Sequence, residues 1–152
     1  MRNTIREKIE RLRQAWEPSL ECYLAGRIPG PSVAPKAGAP QCYNEFLQVT
    51  NGPVCGCVVF HKYEEYDKFQ FIVENLPGGA KHWACIGSLK DDPLFIRRRD
   101  DVVVVADRYE FKQREYEDFD DFLEKWIFGP SYLELRGEVD DWFKFMKQVG
   151  IV

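Results

Sequence analysis

The chain has 152 residues, 45% of them hydrophobic, and a formal net charge of −4. This is the length of one domain, 1–152, which can bury roughly 70% of its unfolded surface, and the composition excludes a disordered chain. No apolar run approaches the roughly 20 residues of a membrane span, and the charged N-terminus lacks the apolar region of a signal peptide. We therefore expect a cytoplasmic protein that does not contact a membrane.

The negative charge is concentrated toward the C-terminus. Residues 111–152 hold 6 Lys/Arg and 10 Asp/Glu, whereas residues 1–50 hold 7 and 5. An acidic surface disfavours nucleic acid and favours a protein partner with a basic face.

The five cysteines, an odd number, predict free thiols in a reducing compartment. Cys55-Gly56-Cys57 lies near His61, but the spacing is wrong for the common structural zinc sites. We therefore expect no metal and no cofactor.

Helical patterns dominate the first fifty residues. Thr4-x-x-Glu7 has the pattern of a capping box in front of a helix that ends before Pro18, and a short second turn follows. Residues 26–40, rich in proline and glycine, predict a loop, and the next helix ends at Asn51-Gly52-Pro53. The apolar residues at helical spacing are Ile5, Ile9, Leu12 and Trp16, then Leu20, Tyr23 and Leu24, then Tyr43, Phe46, Leu47 and Thr50.

The middle of the chain predicts a sheet. Its strands are residues 54–60, with Gly56 indicating a bulge or a close neighbour, then 82–87, 93–97 and 102–106, joined by short turns as an antiparallel meander. The four valines at 102–105 indicate an interior strand covered on both faces. Residues 69–76 fit a helix by spacing, although alternation of Phe69, Phe71 and Val73 also fits a strand.

Two further helices are predicted near the C-terminus, around residues 119–127 and from a cap at Asp140 or Asp141 onward, the second lying in a helical tail over 129–152. Blocks of helix, sheet and helix predict an α+β domain with a mostly antiparallel central sheet and the helices on one side of it.

Four Asp-Asp pairs are candidates for a functional site. Paired carboxylates can hold Mg²⁺ or act in acid–base chemistry, but each pair also has a local role in a turn or in the first turn of a helix. If the turns at Asp91-Asp92 and Asp100-Asp101 lie at the same end of the sheet, their carboxylates form one acidic patch. Tyr66 belongs to a group of aromatic and acidic residues that indicates either a protein-binding stripe or part of the core.

Catalytic motifs are missing from the sequence. There is no Gly-x-Ser-x-Gly, no phosphate-binding loop and no His-Glu-x-x-His, and His61 and His82 lie beside bulky residues that indicate structural roles. We therefore expect a protein that is not an enzyme and has no catalytic residues.

The order of several short segments resembles the SUKH superfamily, which includes the yeast Smi/Knr cell-wall regulators and many bacterial toxin-immunity proteins. The segments span roughly residues 41–128: Phe46-Leu47 before Asn51-Gly52, Trp83-Ala84-Cys85-Ile86-Gly87, the strand Leu94-Phe95-Ile96, the valine-rich strand, and the helix Phe119 to Leu123. The long loop before Tyr43 and the tail after Phe128 depart from that pattern.

The resemblance implies a bacterial immunity protein that binds and neutralises a cognate toxin, for example a nuclease with a basic active site. On that hypothesis the partner-binding residues are Tyr66, Asp91, Asp92, Asp100 and Asp101. Two alternatives stay open: a regulatory interaction module without a toxin, and a small-ligand or metal-binding enzyme that uses the acidic turns.

Overall fold

In the part of the chain that the structure describes, seven strands form one antiparallel sheet in which each strand pairs with its neighbour along the chain. The structure is a computed structural model and describes residues 1–18, 26–107 and 113–152. The strands are β1 (Gly26–Arg27), β2 (Val54–Cys55), β3 (Val58–Phe60), β4 (Trp83–Leu89), β5 (Asp92–Arg97), β6 (Val102–Ala106) and β7 (Gln113–Asp118). The prediction of an α+β fold with a mostly antiparallel sheet is confirmed.

The helices come from both ends of the chain and from the segment before β2. They are α1 (Asn3–Gln14), α2 (Gln41–Leu47), α3 (Phe119–Phe122, continued by a π-helical turn over Leu123–Ile127), α4 (Tyr132–Arg136) and α5 (Asp141–Val149). Their apolar residues share one large core with the inner face of the sheet, including Ile9, Phe46, Phe119 and Trp142.

The outer face of the sheet is covered too. A 3₁₀ helix over Tyr66–Asn75 packs there, above a second and smaller cluster that contains Trp83, Phe95 and Val104. The prediction that the helices lie on one side of the sheet is therefore wrong, because the valine-rich strand presents apolar groups to both faces. Val103 and Val105 join the inner core while Val104 joins the outer cluster, which confirms that β6 is an interior strand covered on both sides.

Of the two alternatives predicted for Gly56, the bulge within one strand is wrong, and the close approach of a neighbour is confirmed, because a Cβ atom there would clash with the hydroxyl of Tyr132. Gly56 and Cys57 instead form the turn of the β2–β3 hairpin, in which Cys55 pairs with Val58. Gly56 has φ +61, a left-handed conformation that glycine adopts without strain. The bulge lies in β4, where the register shifts between Cys85 and Gly87.

The capping box at Thr4 and Glu7 is also wrong. The helix α1 begins one residue before Thr4, and its N-cap is Arg2, without a side-chain cap. The hydroxyl of Thr4 donates a 3.0 Å hydrogen bond to Glu124 instead. The cap predicted at Asp140 is confirmed, because its carboxylate accepts a 2.9 Å hydrogen bond from the backbone N–H of Phe143.

Two strands were not expected from the sequence. The strand β1 lies inside the predicted loop 26–40, and β7 forms an edge of the sheet with mostly exposed, charged side chains. The segment over 69–76, which fitted either a helix or a strand, is the 3₁₀ helix. The second turn predicted around Leu20, Tyr23 and Leu24, like Cys22, lies outside the described residues.

Candidate functional site: an acidic cleft at one end of the sheet

The two acidic turns lie at opposite ends of the sheet. Asp91 and Asp92 close the β4–β5 hairpin, and Asp100 and Asp101 close the β5–β6 hairpin. Successive turns of a meander alternate between ends, and the six residues of β5 separate these two by roughly 20 Å. The structure therefore does not bring the four carboxylates into one patch.

Instead, the second turn lies beside the start of α3. Val102 pairs with Asp118, the last residue of β7, so the end of β7 is next to Asp101. Asp118 then caps α3 by accepting a hydrogen bond from the N–H of Asp121 at 3.0 Å.

These elements and α2 enclose a cleft of about 360 Å³, which we call the acidic cleft. Its carboxylates come from three parts of the chain, since Glu45 lies on α2, Asp100 and Asp101 on the turn, and Asp118 and Asp120 at the start of α3. The full lining is Met1, Arg2, Gln41, Cys42, Glu45, Asp100, Asp101, Asp118, Phe119 and Asp120.

The carboxylates of the acidic cleft differ in how firmly they are paired. Asp100 receives two hydrogen bonds of 2.9 Å from the guanidinium of Arg97, which lower the pKa of that carboxyl. Glu45 contacts the amino group of Met1. Asp101 adopts φ +57, which the turn requires, and lies near the thiol of Cys42. Burial, reinforced by that carboxylate, raises the pKa of Cys42, so the thiol stays protonated.

Asp120 is the least satisfied of these groups. Its Oδ2 atom lies 3.7 Å from the amino group of Met1. Its Oδ1 atom is buried, and within the described ranges it has no hydrogen-bonding partner. A buried carboxylate oxygen without a donor is costly, so this atom is where an added cationic donor gains most.

The acidic turn at Asp91 and Asp92 has a different environment. Lys90 and Asp91 have φ +49 and +70, as expected for a two-residue hairpin loop, and Asp92 pairs with Leu89 as the first residue of β5. Asp91 is exposed and Asp92 is half-buried. This turn therefore shares no cleft with Asp100 and Asp101.

Tyr66 does not fit a role as a surface anchor for a partner. It is 2% exposed and packs in the main core, with its ring 6.1 Å from that of Tyr43. An anchor must offer its ring to the partner, and this ring is already covered.

A Cys–His pair exists, in the interior. The Sγ atom of Cys85 lies 3.6 Å from Nε2 of His61, and both residues are buried. Burial lowers the pKa of His61 to about 4 and raises that of Cys85 to about 11, so both groups are neutral near pH 7. A thiol nucleophile needs the thiolate, so this arrangement favours a structural role.

Among the residues that the structure describes, no group of three or more His, Cys, Asp or Glu side chains is arranged to hold a metal ion. In the same part of the chain, every helix is too short or too polar to cross a bilayer.

Sequence reasoning found Asp100 and Asp101 but missed how they combine with Glu45, Asp118 and Asp120. The missing link was β7, since only its pairing with β6 brings the start of α3 to this turn. The pair at 120–121 was correctly placed in the first turn of a helix, but its nearness to another turn depends on that strand.

No protein family model matches the sequence. The search of curated proteins also found no match.

Proposed function

We propose that this chain is a protein-binding module of the immunity type, which captures and neutralises a toxin with a basic face through the acidic cleft. The observation that carries the proposal is the buried Oδ1 atom of Asp120, which has no hydrogen-bonding partner in the described chain and lines a cleft with four other carboxylates. A lysine or arginine side chain supplies both the charge and the hydrogen bonds that such an atom needs.

The position of the acidic cleft supports the same proposal. Its lining comes from a hairpin turn, the start of a helix and the side of another helix, all attached to one sheet. Binding residues presented by a rigid scaffold lose little conformational entropy when a partner binds. The negative net charge adds long-range attraction for a basic partner.

The resemblance to SUKH domains supports the immunity role, since many members of that family neutralise toxins by binding. Residence in the cytoplasm, where a toxin that enters or is made in the cell must be met, is part of this proposal. The four described cysteines are free thiols, as a reducing compartment favours.

The test needs the product of a toxin-like gene that neighbours the gene for this chain. Binding is measured by stopped-flow and titration at about 50 mM and about 300 mM salt, because screening weakens exposed charge pairs. We expect tighter binding and faster association at the lower salt concentration. Co-expression should also protect cells from the toxin.

A charge-neutral variant locates the surface. Glu45→Gln, Asp101→Asn and Asp120→Asn together keep the side-chain shapes, and asparagine tolerates the left-handed conformation of residue 101. We expect this variant to associate about tenfold more slowly, since charges at an interface act mainly on the association rate. The control is Asp91→Asn, another left-handed turn aspartate at the opposite end of the sheet, which should associate like the unmodified chain.

The outcomes separate the hypotheses. If neither the salt concentration nor the triple substitution changes binding, the acidic cleft is not part of the interface. Binding without protection of cells favours the regulatory module, and no binding to the neighbouring gene product overturns the immunity proposal.

A further inference from the structure

The cover on the outer face of the sheet is an unusual element. Residues 66–75 form ten residues of continuous 3₁₀ helix, although runs longer than three to four residues are uncommon because the hydrogen bonds are poorly aligned. Only Tyr66 and Val73 are buried within it, and Phe71 is 63% exposed. Local hydrogen bonding therefore contributes little to holding this segment in place.

Beneath the segment lies a cluster that is separate from the main core. Its buried members are Val73, Trp83, Cys85, Phe95 and Val104. Four of these residues belong to the sheet, and Val73 is the buried residue that the segment contributes. Tyr66 at the start of the segment belongs to the main core, but Phe69, Ile72 and Val73 pack in this small outer cluster, so its loss leaves the inner core intact.

The segment is attached to the sheet at two points by polar contacts. The Gln70 amide donates to the carbonyl of Cys85 at 2.8 Å and accepts from its N–H at 3.1 Å. At the far end, the indole N–H of Trp83 donates to the carbonyl of Pro77 at 2.9 Å.

A third contact, beside His61, is a stack between its ring and that of Phe69. The two rings are 4.0 Å apart between centroids and 5° from parallel. His61 is 8% exposed and its backbone is fixed, since its N–H donates to Ile86 and its carbonyl accepts from the hydroxyl of Tyr43. The ring of His61 therefore lies between the fixed sheet and the weakly held segment.

The surroundings of the ring suit its neutral form. From β4 it faces the Cys85 thiol, and the neighbouring phenols of Tyr43 and Tyr66 are neutral because burial raises the pKa of each. Glu65 is the one carboxylate whose charge acts on the ring among the described residues, and it opposes the larger effect of burial, which lowers the pKa of His61 to about 4. A proton on this ring is thus poorly compensated unless water reaches it.

We propose that residues 67–75 are an acid-released cover, which detaches from the outer face of the sheet when His61 gains a proton while the inner core, including Tyr66, stays folded. The charged ring needs hydration, and the neighbour that yields most easily is the segment carrying Phe69. Detachment uncovers Trp83, Phe95 and Val104, a new apolar surface on a sheet that is otherwise unchanged.

The direction of the pH effect follows from the linkage between proton binding to His61 and opening of the segment. The ring binds a proton more weakly in the closed form, with a pKa near 4, than in the open form, where 6.5 applies. The open form therefore gains population as pH falls from about 6.5 to about 4, by about twentyfold between pH 7 and pH 5. Below that window this group drives no further opening.

Hydrogen exchange of the whole chain at pH 7 and pH 5, corrected for intrinsic rates, tests the proposal. We expect the opening equilibrium of residues 67–75 to rise about twentyfold at pH 5, with β5 and β6 still protected. His61→Phe keeps a stacked ring that cannot be protonated and should abolish the pH response. The control His82→Gln removes the exposed histidine and should retain it.

If His61→Phe fails to fold, as judged by circular dichroism, His61→Gln serves as the second neutral variant. The proposal is overturned if hydrogen exchange of residues 67–75 does not change with pH, if the neutral variants respond like the unmodified chain, or if all strands lose protection together.

Discussion

The hydroxyl of Tyr132 donates a 2.6 Å hydrogen bond to a carboxylate oxygen of Asp140. The same hydroxyl accepts a 3.0 Å hydrogen bond from the backbone N–H of Cys57. Since Asp140 also caps α5, one phenol connects the C-terminal helices to the β2–β3 turn.

Removing this hydroxyl should destabilise the fold. Tyr132→Phe leaves the N–H of Cys57 and the Asp140 carboxylate without a shared partner, so we expect the free energy of unfolding to fall by about 1–3 kcal/mol. Urea titration measures it. The control is Tyr63→Phe, a half-buried ring that lies under the Lys36 ammonium and outside this network. Equal effects of the two substitutions would contradict the assigned role of Tyr132.

Gly56→Ala tests how closely the β2–β3 turn approaches Tyr132. A Cβ atom at residue 56 would lie 1.9 Å from the Tyr132 hydroxyl oxygen, and the left-handed φ of +61 adds strain. We expect the free energy of unfolding to fall by about 3 kcal/mol or more, because the clash forces the turn and α4 apart. Gly30→Ala is the matched control, since an added Cβ there meets nothing within 4 Å. A melting temperature that Gly56→Ala leaves unchanged would show that the turn does not pack as described.

Asp100→Asn should weaken the β5–β6 turn in a pH-dependent way. Arg97 lowers the pKa of Asp100, so the unfolded chain binds its proton more tightly and this stabilisation is lost as pH falls below about 4. Because the carboxylate is exposed, we expect the free energy of unfolding to fall by less than about 1 kcal/mol at pH 7, and this deficit to be smaller at pH 3. Urea titrations at the two pH values measure the deficit, with Asp91→Asn as the control for charge. A deficit that is the same at both pH values would argue against this ion pair.

Thr4→Ala distinguishes the capping box from the observed contact. A capping residue contributes about 0.5–2 kcal/mol, whereas the exposed hydrogen bond from Thr4 to Glu124 predicts a loss below about 0.5 kcal/mol. Both variants are compared by thermal unfolding. Asp140→Ala, which removes an observed cap, should lower the stability clearly more than Thr4→Ala does. If Thr4→Ala costs as much as Asp140→Ala, Thr4 acts as a cap after all.

Local patterns predicted the parts of the fold that depend on local physics. The cap predicted at Asp140 describes the start of α5 correctly, because this signal lies within a few residues of the helix. The valines of β6 were likewise sufficient to predict an interior strand.

The rest depends on contacts distant in sequence. The strand β7 has no apolar alternation, because an edge strand can be exposed and charged, and its pairing with Val102 to Ala106 decides where α3 begins. The acidic cleft follows from that pairing. The 3₁₀ form of residues 66–75 was also out of reach, since it depends on how Gln70 and Phe69 meet the sheet.

The consecutive strand order also bears on how the chain folds. Hairpins such as β4–β5 close loops of two residues, whereas Arg11 reaches the carbonyls of Val149 and Gly150 across 138 and 139 positions of sequence. Short loops close at low entropic cost, so we expect the hairpins to form first and the terminal helices to dock late. Substitutions in the β4–β5 turn should then slow refolding, while Arg11→Ala should mainly speed unfolding. The opposite pattern in stopped-flow kinetics would place the nucleus at the helices.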